Sequence, residues 1–143
     1  MDWVTGKIDT EAFMLWLYRP TSAGKSAIAR TVAQLCETQN LLLASFLFFH
    51  TDSRCNTMKP LVANLAYRIT CVIPAAWALI EAAVEADPLL FSYSLEDQFV
   101  RLVFEPLQLL SEQGSFSQFA LPPLIIIDGL DECTDEGAQA TLI

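Results

Sequence analysis

The sequence predicts a three-layer α/β fold, a parallel sheet flanked by helices, and three observations carry that prediction. Apolar runs at 13–18, 43–49 and 124–128 have the length of buried strands. The segments between them repeat apolar residues at helical spacing. The chain is 53% hydrophobic with a mean hydropathy of +0.39, which suits strands covered on both faces. Its 143 residues are enough for one domain with a real core, so 1–143 is read as a single unit.

The elements follow in order. Residues 1–12 read as a loop or helix remnant, broken at Thr5-Gly6. Residues 13–18 are six consecutive apolar or aromatic residues, a buried strand. A loop covers 19–24. A helix is expected from 25 to 38, with Ile28, Val32 and Leu35 on its apolar face. The strand at 43–49 places Phe46, Phe48 and Phe49 in the core. His50 reads as a surface residue at its end, and Asp52 and Arg54 as solvated loop charges. Thr57 is placed to cap a helix running to 70 that buries Leu61, Leu65 and Ile69, with Pro60 tolerated in its first turn.

Pro74 opens a further helix that Asp87-Pro88 ends. Ser94-Leu95-Glu96-Asp97 has the form of a capping box ahead of Phe99, Leu102, Val103 and Leu107. Pro106 is expected to kink or end that helix. Residues 112–120 read as a surface loop. Leu124-Ile125-Ile126-Ile127 is a buried strand ending at Asp128, and 136–143 look like the start of a helix. No internal repeat or low-complexity segment is visible.

Composition excludes several classes. Eight basic and 17 acidic residues give a net charge of −9, with no basic cluster. That argues against nucleic acid or an anionic membrane as partner. The four cysteines (36, 55, 71 and 133) and one histidine lack zinc-ligand spacing and read as free thiols of a reducing compartment. The N-terminus has no signal-peptide pattern, and no apolar run approaches the roughly 20 residues that span a bilayer. The expectation is a soluble, cytoplasmic protein.

Two stretches carry chemistry. Arg19-Pro20-Thr21-Ser22-Ala23-Gly24-Lys25-Ser26 lies between a predicted strand and a predicted helix, and it ends as a phosphate-binding loop ends. In such a loop successive backbone N–H groups and the helix N-terminus cradle phosphate oxygens. Thr21, Ser22, Ala23, Gly24, Lys25, Ser26 and Ala27 are therefore the expected nucleotide site. Lys25 would reach the β- and γ-phosphates, and the Ser26 hydroxyl would coordinate Mg²⁺. Asp128, at the carboxyl end of its strand, is placed to hold the same Mg²⁺ through water. Asp131 and Glu132, a turn further on, would orient or deprotonate an attacking water. Either stretch alone is a common accident. The two together, each at the C-terminal edge of a predicted strand, point to one site.

Leu17-Tyr18 followed by that loop, then Asp128-Gly129-Leu130-Asp131-Glu132, resembles the NACHT domain of the STAND P-loop NTPases. Within that group the chain looks like the fungal branch with the nephrocystin-3-like N-terminal domain. The residues 43–46 with the polar loop 51–56, the segment from Pro74 to Asp87-Pro88, and residues 94–99 match as well. The resemblance covers nearly the whole chain. It implies a P-loop NTPase-type sheet and a switch that binds ATP or ADP with Mg²⁺. It also implies protein partners or self-association through flanking effector and sensor domains. Chains of this kind carry a further strand between the phosphate-loop strand and the Asp128 strand. This sequence stops before it, so it reads as a partial domain. Its sheet is expected to have a gap there, or to let the two motif strands pair.

The loop departs from that family at two positions. Arg19 and Ser22 stand where glycine is usual. Glycine serves there by visiting positive φ and letting the backbone approach phosphate. A non-glycine residue held left-handed costs roughly 1–2 kcal/mol, so two cost roughly 2–4 kcal/mol. That is about a 30- to 1000-fold loss of affinity. Two readings follow: an impaired nucleotide-binding module whose hydrolysis alone is negligible, and a degenerate, non-catalytic domain that serves as a structural or protein-interaction module.

Overall fold

The computed structural model describes residues 24–119 and 121–135. The expected strand at 13–18, the loop residues 19–23 and the expected helix at 136–143 lie outside them. The described chain is mixed α/β. Helix α1 (Lys25–Thr38) leads to strand β1 (Leu42–Leu47), then α2 (Leu61–Val72) and α3 (Ala76–Ala86). Next come α4 (Leu95–Phe99), a π-helical turn (Val100–Phe104) and α5 (Glu105–Glu112), and last strand β2 (Leu124–Asp128).

The two strands pair in parallel, Ala44 with Ile125 through Leu47 with Asp128. A register irregularity between Leu42 and Ala44 turns both Leu43 and Ala44 inward, and both are buried. A parallel pair needs a long crossover, and α2 to α5 supply it. The core gathers Leu43, Ala44, Phe46 and Phe48 of β1 and its exit against α2, with Ile125 and Ile127 packed alongside. Phe46 and Phe48 meet edge to face, ring centroids 4.8 Å apart.

Helix α2 is the clearest case of pattern becoming packing. Leu61, Val62, Leu65, Ala66, Ile69 and Thr70 repeat at helical spacing and form its buried side. It begins later than expected. Pro60 takes the cap position and Thr57 makes no cap, because the chain turns first, with Leu61 N donating to Met58 O at 3.0 Å. Ser94 caps α4 as read, its Oγ accepting from Asp97 N at 3.1 Å, while Asp97 Oδ2 answers by accepting from Ser94 Oγ at 2.8 Å rather than from the cap's main-chain N–H.

Pro106 does not end the helical run. The π turn ahead of it widens the backbone, with Glu105 N–H donating to Val100 O. That local widening carries the chain past a residue that has no N–H and crowds the preceding turn. Gln98, buried, donates from Nε2 to Tyr93 O at 2.8 Å and Phe91 O at 3.3 Å, which ties the linker before α4 to the helix.

Other expectations are corrected. β1 ends at Leu47 rather than 49, and Phe49 is 47% exposed because the chain turns there, with Phe49 N donating to Cys55 O. On α1 the buried residue is Cys36, with Ala29, Val32 and Ala33 half-buried, whereas Ile28 and Leu35 are exposed. The small side chains let α1 approach both strands, and apolar residues on two sides of the helix made its orientation ambiguous in sequence. β2 is half-buried throughout, since among the described residues it pairs only with β1. The surface loop expected over 112–120 is not simply that in its described part, 112–119: α5 ends at Glu112, left-handed Gly114 (φ 76°) leads into a 3-10 turn, and Phe119 is buried.

Gly129 sets the exit of β2. Its φ is 71°, and a Cβ there would lie 2.5 Å from the Phe48 carbonyl oxygen. Gly129→Ala is expected to destabilise the chain by about 2 kcal/mol or more, from the left-handed backbone and the collision together. Leu65→Ala should cost about 2–5 kcal/mol as a buried truncation. Urea denaturation checks both, and a Gly129→Ala midpoint equal to the parent's would contradict the close approach.

Candidate functional site

Several of the residues expected from sequence to act lie at the C-terminal edge of the strand pair. Two exit segments meet there, one from β1 and one from β2. Phe48 N donates to Asp128 O at 2.9 Å and extends the ladder by one bond. The segments are then sewn side by side. Thr134 donates from N and Oγ1 to Asn56 O, at 2.8 and 2.9 Å, and Met58 N donates to Asp135 Oδ2 at 3.0 Å. A 3-10 turn over Leu130–Glu132, opened by left-handed Gly129, lifts the two acidic residues out of the strand.

Helix α1 reaches the same edge. Its N-terminus begins at Gly24, which is left-handed (φ 77°), carries no side-chain cap and has no acidic residue in its first turn. A Cβ on Gly24 would meet nothing within 4 Å. Lys25 Nζ donates to Asp131 Oδ2 at 3.4 Å, with the lysine side chain 24% exposed. The contact bridges 106 positions of sequence, so the tertiary fold brings the lysine and the acidic turn together.

Glu132 turns the other way, toward β1. Its Oε2 accepts from the His50 backbone N at 3.3 Å and lies 3.1 Å from His50 Nδ1. Asn56 Nδ2 donates to His50 O at 3.4 Å, which steadies the residue from its own loop. Of the residues expected to act, Gly24, Lys25, Ser26, Ala27, Asp128, Asp131 and Glu132 are described, and Thr21, Ser22 and Ala23 lie outside the described residues. Ser26 is exposed in the first turn of α1, and Asp128 is half-buried. No hydrogen bond joins the two among the described residues. Nor do any three His, Cys, Asp or Glu side chains there form a metal-holding group.

Sequence reasoning gave His50 no role and overlooked Asn56, Thr134 and Asp135. The available signal was a polar segment after each of two strands in one parallel pair, which must leave at the same edge. Asp52 and Arg54 also turn out to be more than solvated charges. Arg54 donates from N and Nε to Asp52 Oδ1, both at 3.0 Å, and from Nη2 to Oδ2 at 2.8 Å. Those bonds lower the Asp52 carboxyl from its ordinary 3.8 to about 2. Burial pushes the Cys36 thiol up, which makes it a poor nucleophile.

A different concavity, about 530 Å³, opens near the start of the strands between Leu43, Leu107, Phe116, Phe119 and Ile125. Its lining has no titratable group, so the site is placed at the opposite strand end, where charge and hydrogen bonding converge. No helix among the described residues is long and apolar enough to cross a membrane.

These features define an α/β protein whose polar residues assemble where a parallel strand pair ends, beside the N-terminus of α1. The chain belongs to the nephrocystin 3 N-terminal family, whose model matches residues 1–143. No curated protein and no solved structure matches it.

Arg54→Ala is expected to return the Asp52 carboxyl from about 2 toward 3.8. A lowered folded-state value contributes stability above the ordinary value and loses it as pH falls through the folded one. The stability difference between parent and variant should therefore be full above pH 3.8 and gone below about pH 2. Carboxyl-carbon NMR titration checks the shift, and an Asp52 midpoint unmoved in the variant would contradict the clamp.

Proposed function

We propose that this chain is the nucleotide-binding part of a NACHT domain of the STAND P-loop NTPase type, with its nucleotide site impaired. The single observation that carries the reading is the 3.4 Å approach of Lys25, at the N-terminus of α1, to Asp131 in the turn after β2. A phosphate-loop lysine and an acidic turn from a neighbouring strand need that proximity to act on one phosphate chain. Their nearness was not required by either motif alone.

The described residues suit a bound nucleotide. A helix N-terminus with no side-chain cap among the described residues and no acidic side chain in its first turn favours an anion. Gly24 gives the backbone the left-handed turn that lets phosphate come close. Lys25 would neutralise phosphate charge. Ser26 and Asp128 would hold Mg²⁺, directly and through water. The ion they would hold would supply positive charge against the phosphates. Such an ion draws most of its ligands from phosphate and water, so a ready-made protein cluster is not needed. Asp131 and Glu132 would orient a water. ATP or ADP is taken from the family resemblance.

Arg19 and Ser22 weaken the site for the backbone reasons already given, and hydrolysis by the chain alone is expected to be negligible. The alternative, a degenerate module that binds protein, has one observation in its favour. Trp77, Leu89, Phe91 and Phe104 are 56, 66, 49 and 55% exposed, large apolar side chains of the sort partners cover.

Calorimetric titration with Mg·ATP separates the two. The impaired-site reading expects weak binding that Lys25→Ala abolishes. Restoring glycine with Arg19→Gly and Ser22→Gly should tighten it by about 30- to 1000-fold. If neither change alters binding, the nucleotide reading fails. A micromolar or tighter dissociation constant for the unaltered chain would show that the site is not impaired.

A further inference from the structure

We propose that His50 is a positioning residue for Glu132, so that the direction of this carboxylate is set from the exit of β1. The proposal rests on the nucleotide reading only for what Glu132 would serve.

The argument begins with the number of donors on one oxygen. Glu132 Oε2 receives the His50 main-chain N–H at 3.3 Å and lies 3.1 Å from His50 Nδ1. An ionised carboxylate only accepts, so the ring nitrogen beside it must carry the proton. His50 thus grips a single oxygen with two donors of one residue. A main-chain donor and a ring donor restrict the carboxyl in both position and rotation. The contacts of the carboxyl with His50 both fall on Oε2, and among the described residues Oε1 makes no hydrogen bond.

The grip is itself braced. His50 O accepts from Asn56 Nδ2, and Asn56 O accepts two bonds from Thr134, two residues beyond Glu132. The Glu132 main chain is fixed in turn, its N–H donating to Gly129 O at 2.8 Å. Histidine and carboxylate are 31% exposed on the glutamate side and 65% on the histidine side, so the contact is reachable by solvent and reversible. The main-chain donor adds to the ring contact a restraint that a side-chain pair alone would not supply.

The chain has one histidine, so its ring nitrogens give an isolated NMR signature. With the ring neutral, the parent is expected to hold its proton on Nδ1. Glu132→Ala should release it to the mixture of an exposed imidazole, while Glu132→Gln, which keeps an acceptor oxygen, should preserve the parent pattern. An unchanged tautomer in Glu132→Ala overturns the proposal. Circular dichroism confirms that each variant is folded.

The same spectra are then recorded as Mg·ATP is added, beside a calorimetric isotherm. A ring-nitrogen change that saturates with the isotherm supports the positioning role. Saturable binding with a motionless ring overturns it and leaves the nucleotide reading standing. Absence of binding removes the nucleotide reading, and the tautomer result alone then decides whether His50 holds Glu132.

Discussion

The contact on which the rest depends is the close packing of Gly129 on the Phe48 carbonyl. It joins the last rung of the strand ladder to the first residue beyond it. Phe48 N–H bonds back to Asp128 O, and its own carbonyl faces Gly129 with no room for a side chain. The chain must therefore leave β2 through a left-handed residue, and it enters the 3-10 turn carrying Asp131 and Glu132. A bulkier residue at 129 would push that turn off the edge. The turn that carries Asp131 and Glu132 hangs from this one close approach.

The core makes that edge rigid. Phe48 is fully buried, as are Leu61, Leu65 and Ile69 of α2 behind it. Met58, just before α2, is buried as well and donates its N–H to Asp135. The segment between β1 and α2 is thus held by the core at both ends and by the β2 exit in the middle. Seen this way, the Asp52–Arg54 clamp stiffens the exposed tip of a loop whose base is already fixed.

The site that results is electrostatically divided. Lys25 pairs with Asp131 on one side, and His50 holds Glu132 on the other. Adjacent carboxylates repel when both are ionised. Drawing them toward different donors, on different elements, relieves that repulsion and gives the two acids separate surroundings. Neighbouring residues of one turn thereby gain different geometry without any difference in charge.

The sequence by itself determined what local chemistry dictates. The periodicity of α2, the capping box at Ser94, the β-branched run of β2 and the glycine-lysine-serine turn into α1 are each decided by residues close in the chain. Lys25, Asp131 and Glu132 were legible as candidates because their residue types are tied to phosphate and metal chemistry, whereas His50, Asn56, Thr134 and Asp135 were not. Only the tertiary structure decided which side of α1 is buried, since Ile28 and Leu35 are as apolar as the residues that lie inward. It decided that Phe49 is exposed, because the strand ends two residues earlier than its composition does. At Pro106 the irregularity expected of a proline takes the form of a π turn ahead of it, and no local pattern announces that the helical run then continues. The partnership of His50 with Glu132 spans 82 positions and exists only because two parallel strands end together. Such long-range pairs depend on register and on the exit angle at Gly129, and neither is written in the residues that make the contact.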